Sequence, residues 1–524
     1  MYSEPNQLLP SESSAALKPE VLTALLAGAK TSERVLRLTS AHMARLNAIH
    51  VAAALDALGA IFLARRSEDD VAAAFANDER TPALLELAAA LASAGEMAPR
   101  DLVACLRGCA RLSHDPGPDF TQAWERAAVA SAARFRPRDV AGAAWAYGQL
   151  RLRAGPAWIA ARDALYEALA PDMRPEELAA VFWGHGRMAS APRRVSRTAL
   201  CAAAAAAAAS DMLAARELAN VLWGAAGWAP VAGTPSGRLA ASWAERVAAA
   251  GVPRLREASA QELANIAWAM PRLGASPDRA WRDAFYDAFA ARMRDRTAKP
   301  QHLAATLYAL SSLPPPPGAP KGVPEAPPAP WLAAFWEASR AGLQRSAGQQ
   351  LANTLCAAAR LRAMPPSDWF ATFWRRSALA LRTAPPTEVA ATLAAAAALQ
   401  VRPPHAWQQA LWAADGASGL RGGTCAEVAQ AAQAMATLQL RPPERWLAQF
   451  AAAASRAVGT AAPGEGRAME ALLLSFLALL PEEGLVSRGA AALPELLMQQ
   501  AQRRGGLPAL AGMVEVVVDE LAEV

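Results

Sequence analysis

The chain of 524 residues has no uninterrupted apolar run of 18 residues and only five cysteines. A membrane-spanning helix needs about 20 consecutive apolar residues, so the sequence predicts no membrane insertion. A small, odd number of cysteines in a large chain is typical of a reducing compartment and not of a disulfide framework. Charged residues make up only 19% of the chain and apolar residues 53%, which excludes a disordered polyelectrolyte.

Enzymatic signatures are also absent from the sequence. It has no Gly-rich phosphate loop, no nucleophile elbow and no HExxH zinc motif, and its six histidines are scattered. Cys105 and Cys109 stand one helical turn apart, but we find no further ligand at the spacing of a tetrahedral metal site. We interpret them as buried thiols, and His185, which stands between two glycines, as a packed histidine. The sequence therefore predicts neither catalysis nor a metal or other cofactor.

What the sequence does contain is a repeat. Nine segments share an apolar pattern, as in ELANVLWGAAGW and ELANIAWAMPRL, and successive starts are most often 38 to 40 residues apart. An aromatic residue follows most starts by 19 residues, and we call it the second mark. Each repeat thus has two recurring features, the apolar segment at its start and the second mark, and this indicates two helices per repeat. Ala-rich segments punctuated by proline also favour many short helices. The starts, which define offset 0 of repeats 1 to 9, are Asp101, Asp139, Glu177, Glu217, Glu262, His302, Gln350, Glu388 and Glu427.

The period predicts an all-α fold, a right-handed α-solenoid of about nine to eleven two-helix repeats of ~38 residues. We expect a partly disordered N-terminal extension over 1–48 and degenerate helical repeats over 49–100. The regular array is expected over 101–465, and a degenerate repeat with a polar-faced cap over 466–524. Repeats 4 and 6 are 7 and 10 residues longer than the basic unit, and their second marks are delayed equally. Both insertions are therefore expected in the loop between the two helices, the longer being the Pro-rich stretch 314–330.

The first helix of each repeat has a buried and a polar side. Offsets +1, +2, +5, +8, +9 and +11 are almost always apolar and predict a wide buried arc. We assign the remaining offsets, 0, +3, +7, +10 and +14, to a polar, variable stripe beside small residues. Arginines at +14, such as Arg402, either contact phosphates or cap helix carbonyls.

Residue identities at +10 change between repeats while the apolar pattern around them stays fixed, which suits a surface that reads a sequence of bases. A solvated helix face is the alternative. The asparagines at +3 are either ligand contacts or structural hydrogen bonds to a neighbouring turn. The candidate binding residues are Arg111, Gln149, Arg187, Arg272, Ser312, Arg360 and Thr437 at +10, and Asn220, Asn265, Asn353 and Gln430 at +3.

Eleven of the sixteen tryptophans hold fixed positions in the repeat. Four stand at offset +6, namely Trp145, Trp183, Trp223 and Trp268, and seven stand at the second mark. Fixed positions favour packing between helices, with base stacking as the alternative. We therefore expect truncation of Trp268 to destabilise the fold and not to weaken ligand binding selectively.

The net charge of +5 permits a polyanionic partner without requiring one. The phrases ELANVLWGAAGW and ELANIAWAMPRLG, the 38-residue period and the PP-x-x-W lead-in to the second helix resemble the octotricopeptide repeat family. They are also similar to helices of the FAST kinase-like organellar RNA-binding proteins. The resemblance covers about residues 100–480.

This resemblance implies an α-solenoid that binds organellar RNA and acts in transcript stabilisation, processing, splicing or translation. The implied partners are single-stranded organellar RNA and other RNA-processing proteins, in the chloroplast stroma or the mitochondrial matrix. The first twenty residues carry three glutamates and no arginine, so no transit peptide is legible in them. The alternative function is a helical-repeat scaffold that binds a protein or peptide in its concave groove. RNA binding weakens steeply with salt, whereas an apolar peptide groove responds little.

Overall fold

A computed structural model describes residues 17–64, 75–228, 235–316, 324–413, 420–461 and 465–479. These residues form α-helices joined by short turns and 3-10 segments, and no β-strand occurs among them. In chain order the helices are α1 (Pro19–Gly28), α2 (Ser32–Ala41), α3 (Ala48–Ala64), α4 (Arg80–Ser93), α5 (Pro99–Arg111), α6 (Gly117–Ala130), α7 (Pro137–Leu150), α8 (Pro156–Leu169), α9 (Pro175–Met188), α10 (Arg194–Ala209), α11 (Ala215–Gly227), α12 (Pro235–Ala250), α13 (Ala260–Arg272), α14 (Arg279–Arg294), α15 (Pro300–Leu310), α16 (Ala329–Gly342), α17 (Gly348–Leu361), α18 (Ser367–Ala380), α19 (Pro386–Ala398), α20 (His405–Ala413), α21 (Cys425–Thr437), α22 (Glu444–Thr460) and α23 (Gly466–Leu479).

The predicted two-helix repeat is confirmed. The odd-numbered helices from α5 to α21 are the first helices of repeats 1 to 9, and each begins two residues before the predicted start. The even-numbered helices from α6 to α22 are the second helices and carry the second mark. The chain divides into two compact units, one of residues 1–257 with 272–277 and one of 258–271 with 278–524. Within each unit first helices pack on first helices and second helices on second helices, which makes the fold an α-solenoid.

The smallest residues of the repeat lie where consecutive first helices touch. Offset +7, which we had assigned to the exposed stripe, is buried in all nine repeats. A Cβ on Gly184 would overlap the carbonyl of Ala144 in the preceding first helix, and one on Gly224 would overlap that of Phe182. The expectation for +7 is wrong because these backbones approach too closely for a larger side chain. Small residues at +7 set the spacing of the first-helix layer.

Offset 0 leaves the stripe in most repeats, because there it caps its own helix. The carboxylate of Asp139 accepts a hydrogen bond from the backbone N–H of Arg136 at 3.0 Å, and Glu177 accepts one from Arg174 at 2.8 Å. This is half of a capping box, which satisfies an N–H that the helix leaves unpaired. His302, Gln350 and Glu427 make the same bond, with distances of 3.3, 3.1 and 2.8 Å. The position therefore takes Asp, Glu, Gln or His because each offers an acceptor.

Offset +12 ends the first helix in the left-handed conformation in seven repeats. Glycine stands there only at Gly274, and the other six residues bear a side chain, for example Gln400 with φ 57°. The next backbone N–H bonds back over the last turn, as Val401 does to the carbonyl of Ala396 at 2.9 Å. This Schellman-type ending turns the chain toward the second helix.

The seven second-mark tryptophans are buried, which confirms their interpretation as packing residues. Trp369 is fully buried and donates its indole N–H to the hydroxyl of Ser339 in the preceding second helix at 2.9 Å. Its ring also meets Trp336 edge-on, with centroids 5.4 Å apart. Trp407 repeats the arrangement with Ser377 and Trp374. Helices α16, α18 and α20 are therefore joined by a chain of indole contacts.

The ends and insertions of the array are described in part. Helices α1 and α2 occupy 19–41, within the segment that we had described as an N-terminal extension. Helix α23 buries Phe476, the aromatic of the degenerate C-terminal repeat. The expected polar cap over GMVEVVVDELAEV and residues 317–323 of the Pro-rich stretch lie outside the described residues. The flanking helices α15 and α16 end and begin at Leu310 and Ala329.

Replacement of Trp369 by alanine is expected to lower the free energy of unfolding by about 3 to 5 kcal/mol, because it removes a fully buried indole and its hydrogen bond. Urea denaturation followed by circular dichroism measures the loss. Trp145→Ala, at a half-buried position, is the matched control and should cost clearly less. Equal losses would contradict the difference in burial between the second-mark tryptophans and the tryptophans at offset +6.

Replacement of Gln400 by glycine is expected to raise the free energy of unfolding by up to about 1 kcal/mol, because glycine adopts positive φ without steric cost. Gln433→Gly, inside helix α21 on an exposed site, is the control and should lower it by a similar amount. Thermal denaturation of the two variants beside wild type provides the comparison. Destabilisation by Gln400→Gly would mean that the glutamine side chain contributes a contact worth more than the backbone strain.

Candidate functional site

One face of every first helix remains open to solvent. Offsets −1, +3, +6 and +10 are half-buried or exposed in all nine repeats, whereas +1, +2, +5 and +8 are buried throughout, as predicted. In a helix of 3.6 residues per turn, the four open offsets fall within about 60° of one another. We call these four positions, taken over repeats 1 to 9, the first-helix stripe.

Aromatic rings occupy offset +6 of the stripe in five consecutive repeats. Trp145, Trp183, Trp223, Trp268 and Tyr308 are half-buried, in contrast to the fully buried second-mark tryptophans. The rings of Trp145 and Trp183 lie nearly parallel, with centroids 6.2 Å apart and planes at 22°. The expectation that the +6 tryptophans are buried packing residues is thus only half right. One side of each ring packs on the array, and the remainder faces solvent.

Arginines at +10 lie over these rings. The guanidinium carbon of Arg187 is 5.6 Å from the ring centroid of Trp183, and that of Arg360 is 4.9 Å from that of Tyr308. Cation–π contacts of this kind hold a flexible side chain against a flat surface. Arg360 also donates to the hydroxyl of Ser312, the +10 residue of the preceding repeat, at 3.2 Å. The cation is therefore positioned beside the ring while its other N–H groups remain available.

The remaining predicted +10 residues differ in their surroundings. Arg111 pairs with Asp56 of α3 at 2.7 Å, which occupies part of its donor capacity. Thr437 donates its hydroxyl to the carbonyl of Gln433 in its own helix at 2.8 Å. Gln149 is half-buried, whereas Arg272 is exposed. The stripe thus includes all of these positions, but the side chains of Arg111 and Thr437 already form bonds within the protein.

The amides at +3 lie on the same face. Asn220, Asn265 and Asn353 are half-buried and Gln430 is exposed. Among the described residues, none of the three asparagine side chains forms a hydrogen bond, which argues against the structural alternative at +3. Their carboxamides present both a donor and an acceptor to whatever occupies the stripe.

In the first unit the stripe forms a pocket of about 300 Å³. Trp145 and Trp183 line it together with Arg216 and Asn220 of repeat 4. Arg216, at offset −1, is exposed and lies 3.5 Å from the carboxylate of Glu217. Glu176 and Glu217 line it as well, so an aromatic wall, an amide, a cation and two carboxylates surround one cavity.

In the second unit the stripe forms a larger pocket of about 740 Å³. It brings together Asn353 and Arg360 of repeat 7 with Gln430 of repeat 9, all of which the sequence predicted as binding residues, and Tyr308 forms one wall. Alanines at +3, +6 and +10 of repeat 8 provide the space. Glu388 also lines the pocket, and burial raises the pKa of its carboxyl above the usual range.

Cations concentrate toward the first repeats. Arg100, Arg138 and Arg216 stand at offset −1 of repeats 1, 2 and 4, and each is exposed beside the acid at its own offset 0. Repeat 1 adds Arg107 at +6, where burial and the nearby charge of Arg111 lower the pKa of the guanidinium. Repeats 5 to 7 have glutamine at −1 instead, namely Gln261, Gln301 and Gln349. The charge of the stripe thus changes along the chain.

Sequence reasoning missed offsets −1 and +6, although the signal was present. At 100° per residue, +6 lies about 40° from the buried offset +2 and about 40° from +10, so helix geometry places it at the edge of the open face. At +14, the guanidinium of Arg402 donates to the carbonyl of Gln439 at 3.1 Å, which favours the capping alternative.

Four further expectations concern buried or absent features. Cys105 and Cys109 are buried free thiols, as interpreted, and burial raises the pKa of both. His185 is fully buried, bonds to the hydroxyl of Tyr166 at 3.1 Å, and has its pKa lowered to about 3 by burial, so it is the packed histidine that we predicted. No group of metal-ligating residues occurs in the part of the chain that the structure describes. None of the described helices combines the length and apolarity that a membrane span requires.

Comparison with known proteins gives one match, which is to a family model. No curated protein matches the chain. A family model described as the N-terminal domain of the Tbc2 translation factor matches residues 194–315 and 343–493. The interval between the two matched segments contains most of the Pro-rich stretch, which the length of repeat 6 had marked as an insertion. Since the matched segments together cover more than half of the chain, the protein belongs to the family of the Tbc2 translation factor N-terminal domain.

Proposed function

We propose that the protein binds single-stranded RNA along the first-helix stripe and acts in organellar post-transcriptional RNA metabolism, by stabilising, processing, splicing or promoting translation of a transcript. The observation that carries the proposal is the half-exposed aromatic at +6, repeated in register with amides at +3 and cations at +10 and −1. The family description, a translation factor, and the resemblance to octotricopeptide repeats support it. The location, chloroplast stroma or mitochondrial matrix, rests on that resemblance.

Each component of the stripe matches one feature of a single strand. An aromatic face stacks on an unpaired base, and such stacking is worth about 1 to 3 kcal/mol per base. Amide groups can bond the Watson–Crick edge of a base, and arginine can bond either a base or a phosphate. Because these residues change between repeats at fixed spacing, successive repeats offer different partners to successive nucleotides.

The mechanism requires no catalysis. A protein that covers a stretch of transcript blocks exonucleases there and prevents the bound strand from pairing with itself. Binding energy alone then determines which RNA ends persist or which start sites stay open. We propose that the protein is not an enzyme and that other RNA-processing proteins act on the complex.

A scaffold that binds a protein or peptide is the second candidate. Repeats 8 and 9 favour it, because their stripe carries alanine, glutamine and threonine at +3, +6 and +10, without an aromatic ring or a cation. Under this candidate, partner binding would concentrate there and would change little with salt.

Replacement of Trp183 by alanine is expected to weaken the binding of single-stranded RNA by about 10- to 100-fold, since it removes one stacking surface and the support of Arg187. Fluorescence anisotropy with random-sequence RNA at several salt concentrations measures the loss. Trp183→Phe should retain most of the affinity, because a ring remains. Affinity that is unchanged in Trp183→Ala, or that does not fall with salt in wild type, would contradict RNA binding along the stripe.

Replacement of Arg360 by alanine is expected to relax RNA preference at one nucleotide position, with a loss of about 1 to 3 kcal/mol for the preferred sequence. The reason is that Arg360 stands at the +10 position, held against Tyr308. Selection from a random RNA pool by wild type and variant reveals which column of the logo changes. Arg375→Ala, an exposed arginine on the second helix α18, is the control and should leave the logo unchanged.

If Arg360 contacts a phosphate, the loss will be uniform over all sequences. A uniform loss, or none, would contradict base reading by this residue.

A further inference from the structure

The second helix of repeat 3 departs from the pattern of its neighbours. Its second mark is Ser196 in place of an aromatic residue. Five residues later stands Cys201, where the second helices of repeats 5 to 8 have Tyr286, Trp336, Trp374 and Trp412. Helix α10 continues with eight alanines after this cysteine. Helix α10 therefore lacks both the second-mark aromatic and the aromatic that repeats 5 to 8 have five residues later.

The next second-mark tryptophan, Trp243, is buried but meets no aromatic ring from α10. In repeats 7 and 8, the ring at that mark meets a tryptophan of the preceding helix edge-on, with centroids 5.4 Å apart in both cases. Trp243 of α12 instead donates its indole N–H to the backbone carbonyl of Cys201 at 2.8 Å. Beside it, a pocket of about 500 Å³ opens between α10 and α12.

This pocket has apolar walls. Trp228, Trp243, Leu273, Cys201 and several alanines line it, and Leu239, with 73% of its surface exposed, stands among them. Its volume lies in the range of small-molecule sites, roughly 300 to 1,000 Å³. The first-helix residues that contribute, Ala225 and Trp228, belong to offsets +8 and +11, so the pocket takes nothing from the first-helix stripe.

Three arginines complete the lining, namely Arg194, Arg197 and Arg246, and no carboxylate is found among the described residues that line the pocket. Arg194 and Arg246 are exposed, and Arg246 donates to the hydroxyl of Ser242 at 2.9 Å. The charge of Arg197 reaches the pocket wall, because it lowers the pKa of the Cys201 thiol, which burial raises to about 11 overall. An apolar cavity whose described lining has positive charge and no negative charge complements an apolar body with an anionic head.

We propose that this pocket between α10 and α12 binds an amphiphilic monoanion, an aliphatic carboxylate whose chain lies against Trp228 and Trp243 and whose head meets the three arginines. The site is separate from the stripe and does not depend on RNA binding. The small Cys201 leaves this space open, since a tryptophan there, as in repeats 6 to 8, would occupy it.

The test is isothermal titration calorimetry of the full chain with decanoate below its critical micelle concentration, with decan-1-ol and decyltrimethylammonium as uncharged and cationic probes. The expected result is saturable binding of one decanoate per chain, with at least about tenfold weaker binding of the alcohol and of the cation. Equal affinity for all three probes, or a signal that does not saturate, would overturn the proposal.

Variants separate the two parts of the site. Arg197→Gln should weaken decanoate binding about tenfold and leave decan-1-ol unaffected, because only the charged head loses a partner. Arg216→Gln, an exposed arginine on the stripe, is the matched control and should change neither. Cys201→Trp, which restores the residue type of repeats 6 to 8, should remove binding of both probes.

Ala205→Leu narrows the same cavity by a smaller change and serves if Cys201→Trp disturbs folding, which circular dichroism detects. Retention of wild-type affinity in a folded Cys201→Trp or Ala205→Leu protein would place decanoate elsewhere and would overturn the proposal.

Discussion

Within each unit, the direction of the open face depends on the close contact between consecutive first helices at offset +7. Gly184 and Gly224 lie so near the carbonyls of Ala144 and Phe182 that a Cβ would collide with them. Close-packed helices have few ways to rearrange, because packing at interior density tolerates little change of volume. The small residue at +7 therefore fixes the rotation of each first helix relative to its neighbour, and with it the direction in which the open face points.

Once that rotation is fixed, the stripe follows from helix geometry. Offsets −1, +3, +6 and +10 fall on one face, and the repeat places this set again in each successive first helix. Trp145 and Trp183 stand nearly parallel because their helices are related by one repeat step. The buried side is held by the indole chain of the second helices, so residues of the stripe can vary without loss of the core. A surface whose side chains vary at constant spacing suits a protein that binds successive nucleotides through successive repeats.

Much of this fold could be predicted from the sequence, because the repeat period and the spacing of the aromatic residues do not depend on which residues stand between them. The nine first-helix starts were predicted to within two residues, the second marks lie on second helices as expected, and Trp369 and Trp407 are buried. The site was harder to predict because residue type alone does not determine exposure. A small residue at +7 fits a groove floor as well as a helix contact, and only the backbone distance distinguishes them. An indole such as that of Trp183 is large enough to be both packed and exposed, so its fixed position did not settle its role.

The central claim is that the open face of the first helices is the RNA-binding surface. Ultraviolet crosslinking of bound single-stranded RNA, followed by mass spectrometry of the attached peptides, tests it most directly. The account predicts crosslinks on first-helix peptides at offsets +3, +6 and +10, above all around Trp145, Trp183 and Tyr308. Crosslinks confined to second helices such as α16 and α18, or to the Pro-rich stretch, would contradict it.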